Sequence, residues 1–454
     1  MDFVLWMKLI NIDAHLFFHV IMLIMKKLLS AFLFLVSPLF ILAQDYPVDT
    51  DKIKGYFNDF REICDRDNGN LWGANLWAPI LIIDKESRFI VANQPDNEGL
   101  LRKTGEVYTG YYPKDKGIAN STTDFGGRLW MMVMYPLPEN EYSRNQLCIH
   151  ELFHSLQKRM NISFGNPDNS HLDNMDARIL LKLEWTALEK ALTDDRGRKK
   201  EYLEDALVFR NYRRALYPGK TQAENELEIL EGLADYTGHR LCSGSDGDFR
   251  NNILSSGKRI RNNQTYVRSF AYYSGPLYGL ILDRTNQDWR AGITTSDDLG
   301  VRVQHSYNIT IPEDLAKAYK KSRNLYNYDD IFRVESEREE NRQEVLTVYR
   351  NRFTRDTVLI LDIPKPNVVF DPRTLIPLDT LGTVYPTIRI IADWGILQVN
   401  EGGCLFDWKK AIVSGKSIKQ NDRIITGDGW EIELAGSWKL VPEGMNYRLK
   451  QENY

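Results

Sequence analysis

The chain has 454 residues, 43% of them hydrophobic and 26% charged, and a net charge of −4 at neutral pH. That composition is ordinary for a globular protein, and the length suffices for about two or three domains with buried cores. It excludes a disordered or low-complexity chain and gives no electrostatic argument for a nucleic-acid partner.

From Met25 the chain reads Met-Lys-Lys, then an almost wholly apolar run from Leu28 to Leu42, then Ala43-Gln44. This basic, apolar and small-residue succession is that of a secretory signal peptide. Residues 1–43 are therefore expected to be removed, with Met25 the true start and the mature protein exported to the periplasm, the cell surface or the medium. An uncleaved membrane anchor is the competing reading, because Leu16–Met25 adds a second apolar run. No later stretch has the apolar length to span a bilayer. Cys64, Cys148, Cys242 and Cys404 are too widely separated for a zinc knuckle, and disulfides and buried thiols both remain open.

Residues 50–64 read as a short helix. Pro79–Ile83 and Arg88–Ala92 bracket Asp84-Lys-Glu-Ser87 and read as a hairpin. Val107–Tyr112 and Leu129–Tyr135 are further strands, separated by a Gly/Asn/Ser-rich loop at 117–127. The run Trp130–Met134 is either a substrate-binding edge or a buried central strand.

Next comes Cys148-Ile149-His150-Glu151-Leu152-Phe153-His154-Ser155, which holds the pattern H-E-x-x-H. Ser143 with Gln146 suggests a capping box at the start of its helix. Ile149, Leu152, Phe153, Leu156 and Met160 recur at helical spacing and form a core-facing stripe. Two histidines four apart on a helix share a face and reach one metal ion. Glu151 lies about 100° further round, placed to act as a general base towards a water on that ion.

Residues 173–193 and 200–216 read as amphipathic helices, and Pro218-Gly219 ends the second. A further helix from about Gln222 to Leu241 supplies a third ligand candidate, Glu231, with Asp235 four residues on and on the same face. One carboxylate can bind the metal while the other holds the free N–H of a ligating histidine. The alternative is an acidic solvent face, because Glu224 and Glu228 line the same side. Gly232 inside a helix asks for a packing reason, and close approach to the H-E-x-x-H helix would provide one.

His150-Glu151-x-x-His154 followed by Glu231-Gly-Leu-Ala-Asp235-Tyr236 resembles the gluzincin metallopeptidases, above all their aminopeptidase N-like and glycyl-aminopeptidase-like branches. Phe270-Ala-Tyr272-Tyr273-Ser274-Gly275 is similar to the Y-x-x-G helix start of the same families. The resemblance implies an α+β fold, with a thermolysin-like mixed sheet and helical catalytic domain. It implies one Zn2+ held by His150, His154 and Glu231, with Asp235 orienting a histidine. It also implies Glu151 as general base and Tyr272, or its neighbour Tyr273, as oxyanion stabiliser, with a peptide or protein as substrate. Two features depart from the pattern. The interval between His154 and Glu231 is long enough to require a helical insertion at about 161–220, which could cap the cleft. No G-x-M-E-N segment precedes the zinc motif, so nothing supports exopeptidase action.

Ile311–Tyr319 and Asp329–Glu340 read as the last helices of a peptidase domain spanning 44–343. Short strand candidates then follow from Val345–Tyr349 to Trp438–Val441, which predicts an all-β sandwich or barrel over 344–454. Trp394, Trp408, Trp430 and Trp438 look exposed in the pattern, although core packing is their commoner use. The expectation is thus an exported zinc peptidase acting by Glu-assisted attack of a zinc-activated water. Its rivals are a non-catalytic zinc-bearing scaffold whose β domain binds a glycan or surface protein, and a membrane-anchored structural protein.

Overall fold

The hairpin forms as β1 (Ile80–Asp84) and β2 (Phe89–Ala92), antiparallel, with Ile83 facing Ile90. The structure is a computed structural model, described here for residues 47–451 except 163, 164, 166, 286, 366, 372 and 373. The expected signal peptide at residues 1–43 lies outside the described residues. β3 (Arg102–Thr104), β4 (Val107–Tyr111), β5 (Ser121–Phe125) and β6 (Arg128–Tyr135) complete a sheet of order β3-β4-β2-β1-β6-β5. β6 pairs with β1 in parallel and with β5 antiparallel, so Trp130–Met134 is a buried interior strand and not a binding edge. The edge on this side of the sheet is β5, inside the segment that composition reads as a loop. Its Ser-Thr-Thr-Asp-Phe sequence carries the β-branched residues of a strand and the polarity of an edge.

Helix α1 (Thr50–Asp67) precedes the sheet, and α2 (Glu141–Arg159) follows β6 and carries H-E-x-x-H. Asn140 caps α2, its side chain accepting from the Ser143 N–H at 2.9 Å. The expected capping box at Ser143 and Gln146 is therefore wrong: an equally good cap residue lies three positions earlier. α3 (Met175–Thr193) and α4 (Lys199–Leu216) pack on each other as the long insertion. The second ligand helix then runs as α5 (Thr221–Leu227), a π turn (Glu228–Gly232) and α6 (Leu233–Cys242). α7 (Asp246–Ile260), which the sequence reading missed, leads to α8 (Ala271–Leu282).

The insertion joins the helix that carries Glu231 through a buried ion network. Arg210 reaches Glu184 at 3.2 Å and Glu228 at 2.9 Å, while Arg213 reaches Glu224 at 3.0 Å and also holds Glu184. Glu224 and Glu228 are thus no solvent face. Charges so deeply buried survive only because arginine forks satisfy them.

After α9 (Leu299–Ser306) and α10 (Leu315–Ser322) comes α11 (Tyr328–Thr354), which continues through Val345–Tyr349 and corrects the strand expected there. Leu346, Tyr349 and Phe353 bury while Val345 and Val348 are exposed, a period near 3.6 and not 2. The remaining residues form an all-β region of a seven-stranded and a six-stranded sheet. Leu359, Leu361, Phe406 and Val413 of one meet Ile390, Leu397, Ile425 and Ile432 of the other in a shared core, so the region is a sandwich. Trp394 and Trp430 belong to this core and Trp438 packs against it, leaving Trp408 exposed. The fold is accordingly α+β with a C-terminal all-β region. Val267, just before α8, packs against the sandwich core within the compact unit Val48–Tyr454.

All four cysteines are free thiols, and Cys64, Cys148 and Cys404 are buried. Among the described residues no helix is long and apolar enough to cross a membrane.

Candidate metal centre

Two helices meet at the site and a third presses them together. α2 and α6 approach at Gly238, where a Cβ would lie 2.6 Å from the Gln146 carbonyl oxygen. Gly232 was expected to make this approach to the H-E-x-x-H helix, but it faces α8 instead. A Cβ on Gly232 would lie 2.8 Å from Gly275 Cα and 2.9 Å from the Ala271 carbonyl oxygen. Only paired glycines allow two helix backbones to come so close. The contact sets Tyr272, one turn before Gly275, against Glu231, the residue before Gly232.

His150, His154 and Glu231 are thereby brought together, all three buried. Glu231 Oε2 lies 3.4 Å from His150 Nε2 and 3.6 Å from His154 Nε2, and the two Nε2 atoms are 3.1 Å apart. Tetrahedral zinc with bonds of about 2.0–2.1 Å sets its ligand atoms about 3.3–3.4 Å apart. The three donors therefore outline one face of such a tetrahedron. Two imidazoles and a carboxylate are also the donor set of one class of catalytic zinc site. On spacing and chemistry the residues fit the metal.

Each of the three side chains is held by further partners. His150 Nδ1 faces Asp235 Oδ1 at 3.5 Å, and Gln146 Nε2 donates to the same oxygen at 2.7 Å. His239 Nε2 lies 3.3 Å from Asp235 Oδ2, with the Tyr142 hydroxyl 2.6 Å from His239 Nδ1. His154 Nδ1 meets Gln157 Oε1 at 2.7 Å. Glu231 accepts from the Tyr272 hydroxyl at 2.6 Å on Oε2 and from Arg268 Nη2 at 3.0 Å on Oε1. The Tyr272 ring also stacks on His150, with centroids 5.5 Å apart and planes within 3° of parallel. Tyr273, the neighbouring candidate, instead points its hydroxyl at Glu189 and is structural.

Burial alone would raise the Glu231 carboxyl, but the adjacent imidazoles of His150 and His154 hold it well below the usual carboxylate range. Burial likewise acts to lower His150, and hydrogen bonds with Asp235 and Glu231 outweigh it, raising the imidazole to about 10. Asp235 is depressed by His239 and His150 against the effect of its burial. Glu151 goes the other way: burial pushes its carboxyl up. Its Oε2 is buried and has no hydrogen-bond partner among the described residues. An orphaned carboxylate oxygen of this kind, one residue along from His150, needs a hydrogen-bond donor that the described residues do not provide.

His150, Glu151, His154, Glu231, Asp235 and Tyr272 all stand within this one cluster. Sequence reasoning missed Gln146, Gln157, His239 and Arg268. Gln157 and His239 had local signals, lying three residues beyond His154 and four beyond Asp235 on the same helices. No protein-family model matches the sequence, and comparison with curated proteins and with solved structures finds no match either.

Proposed function

We propose that this chain is an exported zinc-dependent peptidase that hydrolyses peptide bonds. The observation that carries the reading is the near-equilateral triangle of His150 Nε2, His154 Nε2 and Glu231 Oε2, with the partnerless Glu151 oxygen on the same turn. The order H-E-x-x-H, E-G-L-A-D-Y and Y-x-x-G resembles the gluzincins, and a sheet followed by site helices is compatible with their thermolysin-like arrangement. Held by the three ligands, zinc supplies Lewis-acid chemistry and lowers the pKa of water towards about 7.

The chain's own groups do the rest. Glu151 Oε2 takes the proton of the attacking water and returns it to the leaving amine, and its raised pKa suits both transfers. Asp235 and Gln157 keep the two imidazoles turned towards the ligand triangle. Tyr272, its hydroxyl already beside Glu231 Oε2, donates to the oxyanion that develops on the scissile carbonyl. The free sheet edge beside α2 is β5, where an extended peptide would pair through its main chain.

Zinc content and turnover of a peptide library, measured on wild type and Glu151→Gln, test the proposal. One zinc per chain in both proteins, with hydrolysis only in wild type, is expected. Retained turnover in Glu151→Gln would remove Glu151 from its role. One zinc and no wild-type turnover would favour the non-catalytic scaffold.

A further inference from the structure

Glu231 sits on a π turn, and that turn changes where backbone hydrogen bonds go. Leu233 N–H closes onto the Glu228 carbonyl five residues back. Wider turns of this kind break the regular i→i−4 ladder and leave main-chain oxygens in need of other donors. The carbonyls of Ile229 and Leu230 both accept from Gln157 Nε2, at 2.9 Å each. Gln157 belongs to α2 and is completely buried, at 0% exposure.

The same side chain meets His154 Nδ1 through its Oε1. Carbonyl oxygens only accept, so the amide nitrogen must face the π turn and the amide oxygen must face the histidine. An amide oxygen only accepts as well, so His154 must carry a proton on Nδ1, and in the neutral ring that leaves the lone pair on Nε2. Nε2 is the atom that faces Glu231 Oε2. A single buried amide therefore reaches both the second imidazole and the turn that presents the carboxylate.

We propose that Gln157 is a positioning residue of the metal site, fixing the tautomer of His154 and fastening the π turn that carries Glu231. Its one amide ties His154 to the turn that presents Glu231. The inference rests on the metal reading above.

The test is zinc affinity of the full chain, measured by competition with a chromophoric chelator, with the cobalt-substituted visible spectrum as a second readout. Gln157→Met keeps the volume and loses every hydrogen bond. It should bind zinc about 10- to 100-fold more weakly and shift the cobalt bands. Gln157→Glu keeps an acceptor for His154 Nδ1 but turns a carboxylate towards two carbonyl oxygens, and it should also weaken binding. A folded Gln157→Met with wild-type zinc affinity and cobalt spectrum overturns the proposal. Wild-type affinity in Gln157→Glu alone overturns the part that concerns the π turn. Should Gln157→Met fail to fold, nitrogen-15 shifts of His154 in zinc-loaded wild type carry the test, because an unprotonated Nδ1 overturns the assignment. A wild type that binds no zinc sinks the metal reading itself. Zinc-binding wild type with an equally competent Gln157→Met sinks only this inference.

Discussion

Gly275→Ala probes the contact on which the whole site depends. A Cβ on Gly275 would lie 2.5 Å from the Gly232 carbonyl carbon and 2.8 Å from its oxygen. Non-bonded carbons settle at about 3.5–4.0 Å, so alanine requires α8 and the π turn to part by about 1 Å. Both neighbours are main chain, and no flexible side chain is there to yield. Overpacking of this kind costs about 1–3 kcal/mol of stability. The parting falls between Glu231 and Tyr272, and a shift of about 1 Å in a reacting group can cost about 100-fold in rate. Gly275→Ala should therefore melt at lower temperature, bind zinc more weakly and hydrolyse peptides about 100-fold more slowly. Gly55→Ala is the control. It lies in α1 with nothing within 4 Å of its Cβ, so it should gain about 0.4–1 kcal/mol. Wild-type melting and zinc affinity in Gly275→Ala would refute the reasoning.

Tyr272→Phe keeps the ring stacked on His150 and removes only the hydroxyl. It should lower kcat by about 10²–10³-fold with zinc affinity changed only a few-fold. A fall in zinc affinity as large as the fall in rate would make Tyr272 a holder of Glu231 instead. Glu335 predicts an acid limb of stability. Burial alone would raise its carboxyl, but Arg178 and Lys182 outweigh that and depress it to about 2 from 4.5, with Arg338 bonded at 2.7 Å as well. A carboxylate depressed in the fold stabilises fully above its unfolded pKa, and that stability is lost as pH falls from about 4.5 through about 2. The contribution is on the order of 3 kcal/mol. Urea melts across that range should show the loss in wild type and a flatter profile in Glu335→Gln, and identical profiles would refute the assignment.

The parts of the fold that were legible in the sequence are those whose residue types are dictated locally. H-E-x-x-H and Glu231 are demanded by ligand chemistry at helical spacing, and β1, β2 and β6 carry continuous apolar runs. α7 escaped because its buried positions are Phe249, Ile253, Gly257 and Ile260, and a glycine in the stripe dilutes the apolar period. Gly257 is there because a Cβ would collide with the Tyr273 ring, which no local pattern announces. β5 escaped because an edge strand can be almost wholly polar. Gln146 and Arg268 act through partners far away in the chain, so residue type alone could not single them out.

Packing also gives the stretch from Glu231 to Tyr236 a physical meaning beyond a resemblance. The helix lies between α2 and α8, and its residues divide between the two. Glu231 and Asp235, four apart, face α2 and meet the histidines. Gly232 and Tyr236, also four apart, face α8, where Gly275 admits the backbone and Gly279 admits the aromatic ring. The Tyr236 hydroxyl then donates to Asp283 at 2.7 Å, which anchors the far end of the crossing. Shifting either pair by one residue would rotate it about 100° and separate carboxylates from histidines or helix from helix. The acids and the small and aromatic residues must therefore alternate as they do. A helix squeezed between two others, with its ligand on a π turn, has no other order in which to satisfy both faces.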